Sequence, residues 1–181
     1  VHSIIDDPYA TAFGFTEGEV AAIIEPEKLE EVRAWYNGYL FGGQVIYNPW
    51  SILHYINEGK LKPYWVNSGS SDLIEHLAGR KGLALSDKSY SLLRGETIEV
   101  RIDDSIVLRD IEWRTDALWN FLLFSGYLKL ATLVLHEGRY IGTLCIPNQE
   151  IRHVYEDMFR NWVDRADPDW AVTKDLINAL C

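Results

Sequence analysis

Residues 35–50 combine aromatic side chains with glycines in a pattern that could bind a flat ligand. Trp35-Tyr36-Asn37-Gly38-Tyr39 is followed by Phe41-Gly42-Gly43 and then by Tyr47-Asn48-Pro49-Trp50. Glycine permits tight turns and close backbone approach, and aromatic rings offer apolar faces. These aromatic residues could therefore belong to a core or bind a flat ligand, and for any single residue the preferred interpretation is a loop that the rings make rigid by packing on one another.

The chain lacks the residues that would hydrolyse a nucleoside triphosphate. Such enzymes place a lysine and a serine or threonine after a glycine-rich loop, with an acidic magnesium ligand on a strand. The glycine pair at 42–43 has no following lysine, and Gly79-Arg80-Lys81-Gly82 lacks the turn that should come next. We therefore assign no catalytic residue to this chain.

A metal-dependent nuclease is the least favoured hypothesis that the acidic residues allow. It would use Glu99, Asp103 and Asp104, but nucleases of the restriction-endonuclease type need a lysine two residues after a strand carboxylate, where Arg101 stands. A solvated acidic turn explains these residues better. The five histidines are scattered without metal-binding spacing, so no metal ligand is predicted.

Composition predicts a folded, acidic, cytoplasmic protein. Hydrophobic residues make up 48% of the chain, and 17 basic residues against 27 acidic ones give a net charge of −10. Such a surface repels phosphate backbones, which disfavours direct nucleic-acid binding. Neither Cys145 nor Cys181 belongs to a disulfide or metal pattern. No apolar run reaches the roughly 18 residues of a membrane span.

Helical patterns surround the aromatic run in the N-terminal half. A capping box at residues 16–19 begins a short helix, and a second helix follows at residues 26–36. Asn48 and Pro49 open a third helix, which Gly59 ends. The glycine-containing segment between the second and third helices is predicted to be a small hairpin or loop. A further cap region at residues 68–71 predicts another helix.

The C-terminal half combines helices with strands. A short helix at residues 88–94 and a strand at residues 97–102 precede an apolar helix at residues 116–124, which should be buried. Residues 127–146 predict a β-hairpin, after which Asn148 caps a long amphipathic helix. The predicted fold class is mainly α with a β-hairpin, in the α+β class.

The order of these elements predicts two subdomains. Residues 8–80 form a helical subdomain that carries the aromatic loop. Residues 86–165 form a winged-helix-like subdomain, because a helix, a hairpin and a helix follow one another there. Residues 166–181 begin a helix that stops short. Because Val1 is not an initiator methionine, we expect the chain to be a fragment of a longer protein.

Six ordered blocks across nearly the whole chain resemble a family of bacterial predicted ATPases called AAA-ATPase-like. They are Asp6-Asp7-Pro8-Tyr9 to Phe13-Gly14-Phe15-Thr16-Glu17, Trp35-Tyr36-Asn37-Gly38-Tyr39, Tyr47-Asn48-Pro49-Trp50-Ser51, and residues 61–68, 117–128 and 146–151. Members of that family combine a nucleotide-binding core, a helical lid and a C-terminal portion. Many also carry a PD-(D/E)XK nuclease-like domain. The resemblance implies that residues 8–80 are lid-like and that the chain lies between the core and the nuclease-like domain.

The resemblance also implies partners, a cofactor and a site. The upstream P-loop core and the downstream nuclease-like domain of a parent chain would be the partners, and a homo-oligomer stays open. The parent would bind ATP and Mg²⁺, and this piece alone would bind neither. The loop after the second helix would lie where lids approach the nucleotide base. Its nucleotide-proximal or interaction residues would be Tyr36, Asn37, Gly38, Tyr39, Phe41, Gly42, Asn48, Pro49 and Trp50.

Three functions follow in order of preference. The first is a non-catalytic regulatory lid and winged-helix-like module that couples nucleotide state to a partner domain. The second is a protein-interaction module, independent of nucleotide, that binds a partner or a second copy through Trp35, Tyr39 and Trp50. The third is the metal-dependent nuclease.

Overall fold

The computed structural model describes residues 11–12, 14–41, 44–65, 83–103, 105–106, 110 and 114–166. In chain order these contain β1 (Phe15–Thr16), α1 (Glu17–Ile23), a 3₁₀ turn (Pro26–Lys28), α2 (Leu29–Tyr36), β2 (Tyr39–Phe41), β3 (Gln44–Tyr47), α3 (Pro49–Glu58), α4 (Leu83–Leu93), β4 (Ile98–Ile102), α5 (Thr115–Phe124), β5 (Lys129–His136), β6 (Arg139–Cys145) and α6 (Gln149–Ala166). Six α-helices and two small antiparallel sheets within these ranges confirm the α+β class.

Local capping fixes the starts of the N-terminal helices, as the sequence predicts. The Thr16 hydroxyl accepts from the Glu19 N–H, and the Glu19 carboxylate accepts from the Thr16 N–H over 2.8 Å, which completes the capping box. Asn48 caps α3 by accepting from the Trp50 N–H over 3.0 Å. Gly59 ends α3 in the left-handed conformation, where glycine is favoured.

The first sheet has the strand order β1-β3-β2 and lies between two hydrophobic clusters. Its antiparallel β2–β3 pair shows that the segment predicted to be a small hairpin or loop is a hairpin. Successive side chains of a strand point to opposite faces, and β3 uses both faces. Tyr47 joins what we term the helical cluster, with Val20, Val32, Tyr36 and Ile52. Ile46 joins the sheet cluster, formed by β4, α5, β6 and α6.

The second sheet has the strand order β4-β6-β5 and contains the predicted β-hairpin. Glu137 and Gly138 join β5 to β6 with positive φ angles of 47° and 74°, the geometry that two-residue hairpin turns need. The register shifts between Leu130 and Thr132, which makes Ala131 a bulge in β5. The predicted strand at residues 97–102 is β4.

Helix α5 is the buried helix that its apolar sequence predicts. Leu118, Trp119, Leu122 and Leu123 are all nearly inaccessible to solvent. Helix α4 begins earlier than predicted, at Leu83, because its apolar first turn extends the helix. The helix predicted after residues 68–71 and the segment 167–181 lie outside the described residues. In the described part of the chain, no helix is both long and apolar enough to cross a membrane.

Candidate functional site

The turn at Asn37 and Gly38 lies against the turn that precedes α6. The side-chain amide of Asn148 donates to the Asn37 carbonyl oxygen over 2.9 Å, and the Asn148 side-chain oxygen accepts from the Ile151 N–H over 3.0 Å. Asn148 therefore caps α6, as predicted, and also holds the turn. Gly38 has a φ of +105°, and a Cβ atom there would lie 2.4 Å from the Pro147 carbonyl oxygen. Only glycine fits this position.

Two tyrosines of the predicted site are buried in different clusters. The Tyr36 hydroxyl donates to the Lys62 carbonyl over 3.0 Å and accepts from the Lys62 N–H over 2.9 Å. Tyr39 packs edge-on against Trp65, with 6.3 Å between ring centroids. Burial raises the pKa of both hydroxyls. Because Tyr39 is only 8% exposed, its predicted role as a partner-facing aromatic residue is wrong.

The other predicted site residues divide between helix capping and solvent. Asn48 is the N-cap of α3 and Pro49 is its first residue, where the missing proline N–H would have no helical partner. Trp50 is 51% exposed. Phe41 is described as a strand residue of β2, and Gly42 lies outside the described residues. Among the aromatic residues of this set whose exposure the structure describes, Trp50 is therefore the one that a partner could reach.

A fully buried carboxylate joins the two clusters. The Ser51 hydroxyl lies 2.8 and 3.0 Å from the two Glu150 carboxylate oxygens, and the Trp65 N–H donates to one of them over 2.8 Å. Burial raises the pKa of Glu150, although these hydrogen bonds and the first turn of α6 favour the charged form. Glu150 thus connects α3, the turn after it and α6.

An open cleft of about 580 Å³ lies beside the Asn37 turn. We call it the Lys129 cleft. Its lining comes from α2, the Asn37 turn, β3, β5, β6 and the segment between β6 and α6. It consists of Arg33, Ala34, Asn37, Gly38, Val45, Lys129, Leu130, Ala131, Cys145 and Pro147. The tertiary structure therefore brings two predicted site residues together with a lysine and a thiol from the distant hairpin.

The two cations of the cleft have different surroundings. The Arg33 guanidinium donates to Glu17 over 2.6 Å and also contacts Glu30, so it is already neutralised. The hydrogen bond from Arg33 lowers the pKa of Glu17, and the Tyr47 hydroxyl adds a second donor over 2.6 Å. Lys129 instead donates to the Pro147 carbonyl over 3.3 Å. The cleft can therefore offer an ammonium group to an anion.

The nuclease hypothesis gains no metal site in the described residues. Asp103 accepts from the Ser105 hydroxyl and from both terminal nitrogens of Arg114, the latter over 3.2 Å. The Ser105 hydrogen bond and then those from Arg114 lower the pKa of the Asp103 carboxyl group. Glu99 lies in β4 with its side chain exposed. Asp104 lies outside the described residues. Within the described residues no group of three or more His, Cys, Asp or Glu side chains could hold a metal ion.

Sequence reasoning missed Ser51, Trp65, Lys129 and Glu150. An acidic residue just after an N-cap is ordinary at a helix start, so nothing local distinguishes a buried Glu150 from an exposed one. Lys129 opens a strand, where a lysine normally faces solvent. These four residues are distinguished by their contacts with elements far away in the chain. Local residue patterns do not contain this information.

Comparison with known proteins gives a partial relative. The chain is 35% identical over 77 residues to an uncharacterized protein in the vnfD 5' region of Azotobacter chroococcum mcd 1. The aligned residues make up 40% of this chain and 15% of that protein, so the chain matches a small part of its relative's length. No family model and no solved structure matches the chain.

Proposed function

We propose that this chain is the non-catalytic lid and winged-helix-like regulatory portion of an AAA-ATPase-like protein and couples nucleotide state to a partner domain. The observation that carries the proposal is the 2.9 Å hydrogen bond from Asn148 to the Asn37 carbonyl. It ties the turn expected to approach the nucleotide to the start of α6, which packs in the sheet cluster through Ile151 and Val154. A displacement of the turn would therefore be passed to the second sheet.

The order of the C-terminal elements supports the winged-helix-like part of the proposal. Helix α4, β4, α5 and the β5–β6 hairpin follow one another, and β4 pairs with β6. In the proposed winged-helix-like arrangement the hairpin would be the wing. Helix α5 precedes the wing but is buried, and the chain carries a net charge of −10. Both facts favour a regulatory role over DNA readout.

The proposal includes partners and a compartment. The upstream P-loop core and a downstream nuclease-like domain would be covalent partners in a cytoplasmic parent chain, which would supply ATP and Mg²⁺ binding. The greater length of the partial relative supports a multidomain parent. The absence of a complete phosphate-binding loop from this sequence is the reason for assigning the binding of ATP and Mg²⁺ to the parent.

Hydrogen exchange with and without ATP tests the coupling in a longer chain that includes the upstream core. We expect ATP to increase amide protection in α2 and in the β5–β6 hairpin. Asn148→Ser keeps a capping oxygen but removes the amide that holds Asn37. This variant should still bind ATP by calorimetry, while the change in the hairpin disappears.

The matched control is Thr16→Ser, which keeps the hydroxyl that caps α1 and leaves the bond between Asn148 and Asn37 intact. It should preserve the response of the hairpin to ATP. A longer chain that binds no ATP, or one whose hairpin responds equally in Asn148→Ser, would contradict the proposal.

A second candidate function, a protein-interaction module, is favoured by one face of α3. Trp50, Leu53 and Ile56 are 51%, 56% and 48% exposed at helical spacing. This face replaces the predicted set, because Tyr39 is buried and Trp35 lies against His153 with 5.1 Å between ring centroids. Sedimentation velocity of the wild type and Leu53→Glu tests self-association. Concentration-dependent association that the substitution abolishes supports this function, and a monomer at all concentrations removes the second-copy version of it.

A further inference from the structure

The Lys129 cleft has the size and walls of a small-molecule site. Its volume of about 580 Å³ falls in the range of roughly 300–1,000 Å³ that is typical of such sites. Ala34, Val45, Leu130 and Ala131 supply apolar wall on three elements. Ligand sites usually combine such walls with a few polar groups that fix the orientation of the ligand.

The charge of the cleft is opposite to that of the chain. Acidic residues outnumber basic ones by 27 to 17 in the sequence, yet the lining contributed by the described part of the chain includes Arg33 and Lys129 and no acidic residue. Arg33 is neutralised by Glu17 and Glu30. Among the described residues of the lining, the cation that remains for a ligand is therefore the ammonium group of Lys129.

The backbone around Lys129 holds its ammonium group at the edge of the cleft. The group donates to the Pro147 carbonyl over 3.3 Å, and it would lie 3.1 Å from a Cβ atom built on Gly38. An ammonium group has three donors, so a single carbonyl bond leaves two for a ligand. The bulge at Ala131, which also lines the cleft, adds an exposed small side chain next to it.

We propose that the Lys129 cleft binds a small ligand that carries an oxyanion, phosphate or carboxylate, on an apolar body. Lys129 would bind the oxyanion as a point charge, and Val45, Leu130 and Ala131 would contact the apolar body. The proposal concerns the isolated chain and stands whether or not the chain acts as a lid.

Amide NMR titrations of the 181-residue chain test this proposal with four probes. Phenyl phosphate and benzoate carry an oxyanion on an apolar ring, inorganic phosphate has the charge alone, and benzyl alcohol has the ring alone. We expect the two aromatic anions to shift the amides of Gly38, Lys129 and Ala131 saturably. They should bind about tenfold more tightly than the other two probes. Whichever of phenyl phosphate and benzoate binds more tightly identifies phosphate or carboxylate as the preferred group.

Three variants make the test specific. Lys129→Gln should weaken binding of the aromatic anions about tenfold, whereas Lys60→Gln, at an exposed lysine outside the cleft, should leave it unchanged. Ala131→Glu adds a carboxylate at an exposed position in the cleft and should abolish binding while the fold persists. The proposal is overturned if no probe gives saturable shifts at these amides. Benzyl alcohol binding as tightly as the anions, or unchanged binding in both cleft variants, would also overturn it.

Discussion

Gly38 shows how a predicted ligand residue can instead be required by packing. Its φ of +105° and its contact with the Pro147 carbonyl leave no room for a side chain. The sequence predicts a turn here because asparagine followed by glycine is a strong turn signal. The partner of that turn is Pro147, which lies 109 residues later in the chain. Local sequence patterns could not reveal a partner at that separation.

Gly38→Ala should lower the free energy of unfolding by about 1–3 kcal/mol, because a non-glycine residue is strained at this φ and the new methyl group meets a backbone oxygen. The control is Gly18→Ala, where a Cβ atom would meet no atom within 4 Å inside α1. That change should stabilise by about 0.5–1 kcal/mol. Urea denaturation measures both, and equal effects would contradict the packing role of Gly38.

Glu150 should make stability fall as the pH rises. Burial raises the pKa of its carboxyl group above the ordinary 4.5. A group that holds its proton more tightly when folded contributes its full stability below its unfolded pKa and loses it as the pH rises through the folded pKa. The hydroxyls of Tyr36 and Tyr39 interact with the Glu150 carboxylate. Their pKa values are also raised, so both hydroxyls stay neutral while Glu150 titrates.

Glu150→Gln should remove this pH dependence. The amide oxygen can accept from the Trp65 N–H, and the amide nitrogen can donate to the Ser51 hydroxyl, so the contacts of the protonated acid persist. The variant should gain stability relative to wild type as the pH rises from about 4.5 towards about 7.5. Urea midpoints of the wild type and the variant across that pH range measure the difference in stability between them. A difference in stability that does not change with pH would contradict a raised pKa of the Glu150 carboxyl group.

Elements are joined by buried polar side chains as well as by apolar packing. Asn120 on α5 is inaccessible to solvent and makes three hydrogen bonds. It accepts from the Asp103 N–H over 2.9 Å and donates to the Arg101 and Asp116 carbonyls over 2.7 and 2.9 Å. The apolar sequence predicts the burial of α5, and its one asparagine fixes where the helix meets the end of β4.

Asn120→Leu should destabilise the protein by about 2–4 kcal/mol, because the partly buried Arg101 carbonyl of β4 and the Asp103 N–H just after the strand lose their partner. Asn57→Ala, on the exposed side of α3, is the control and should change stability by less than about 0.5 kcal/mol. Thermal unfolding followed by circular dichroism compares them. If the two substitutions lower the stability equally, the Asn120 hydrogen bonds are not what holds α5 to β4.

At the scale of the whole molecule, the described residues form two hydrophobic clusters with a polar seam between them. Glu150 and Ser51 form one part of this seam, and Asn148 and Asn37 form the other. Strand β3 crosses it by sending Ile46 and Tyr47 into different clusters. Because both clusters share these contacts, we expect them to unfold as one cooperative unit.

Glu150→Ala should allow the helical cluster to unfold separately from the sheet cluster. Without the carboxylate, the Ser51 hydroxyl and the Trp65 N–H lose their partner, which costs about 1–3 kcal/mol for each buried group. Native-state hydrogen exchange should then show α2 and α3 opening before α5 and β6. Glu58→Ala removes an exposed ion pair with Lys62 and should leave the two clusters coupled. Joint opening of both clusters in Glu150→Ala would mean that the seam contributes little.

The sequence by itself determined the helix caps, the hairpins and the burial of α5. These depend on hydrogen bonds within a few residues or on the spacing of apolar side chains, both of which a sequence displays. Only the tertiary structure decided that Tyr39 is buried, that Glu150 lies inside and that Lys129 borders a cleft with Arg33. Those outcomes depend on partners far away in the chain, 99 residues apart for Ser51 and Glu150 and 111 for Asn37 and Asn148. Local patterns carry no information about which distant element supplies the partner.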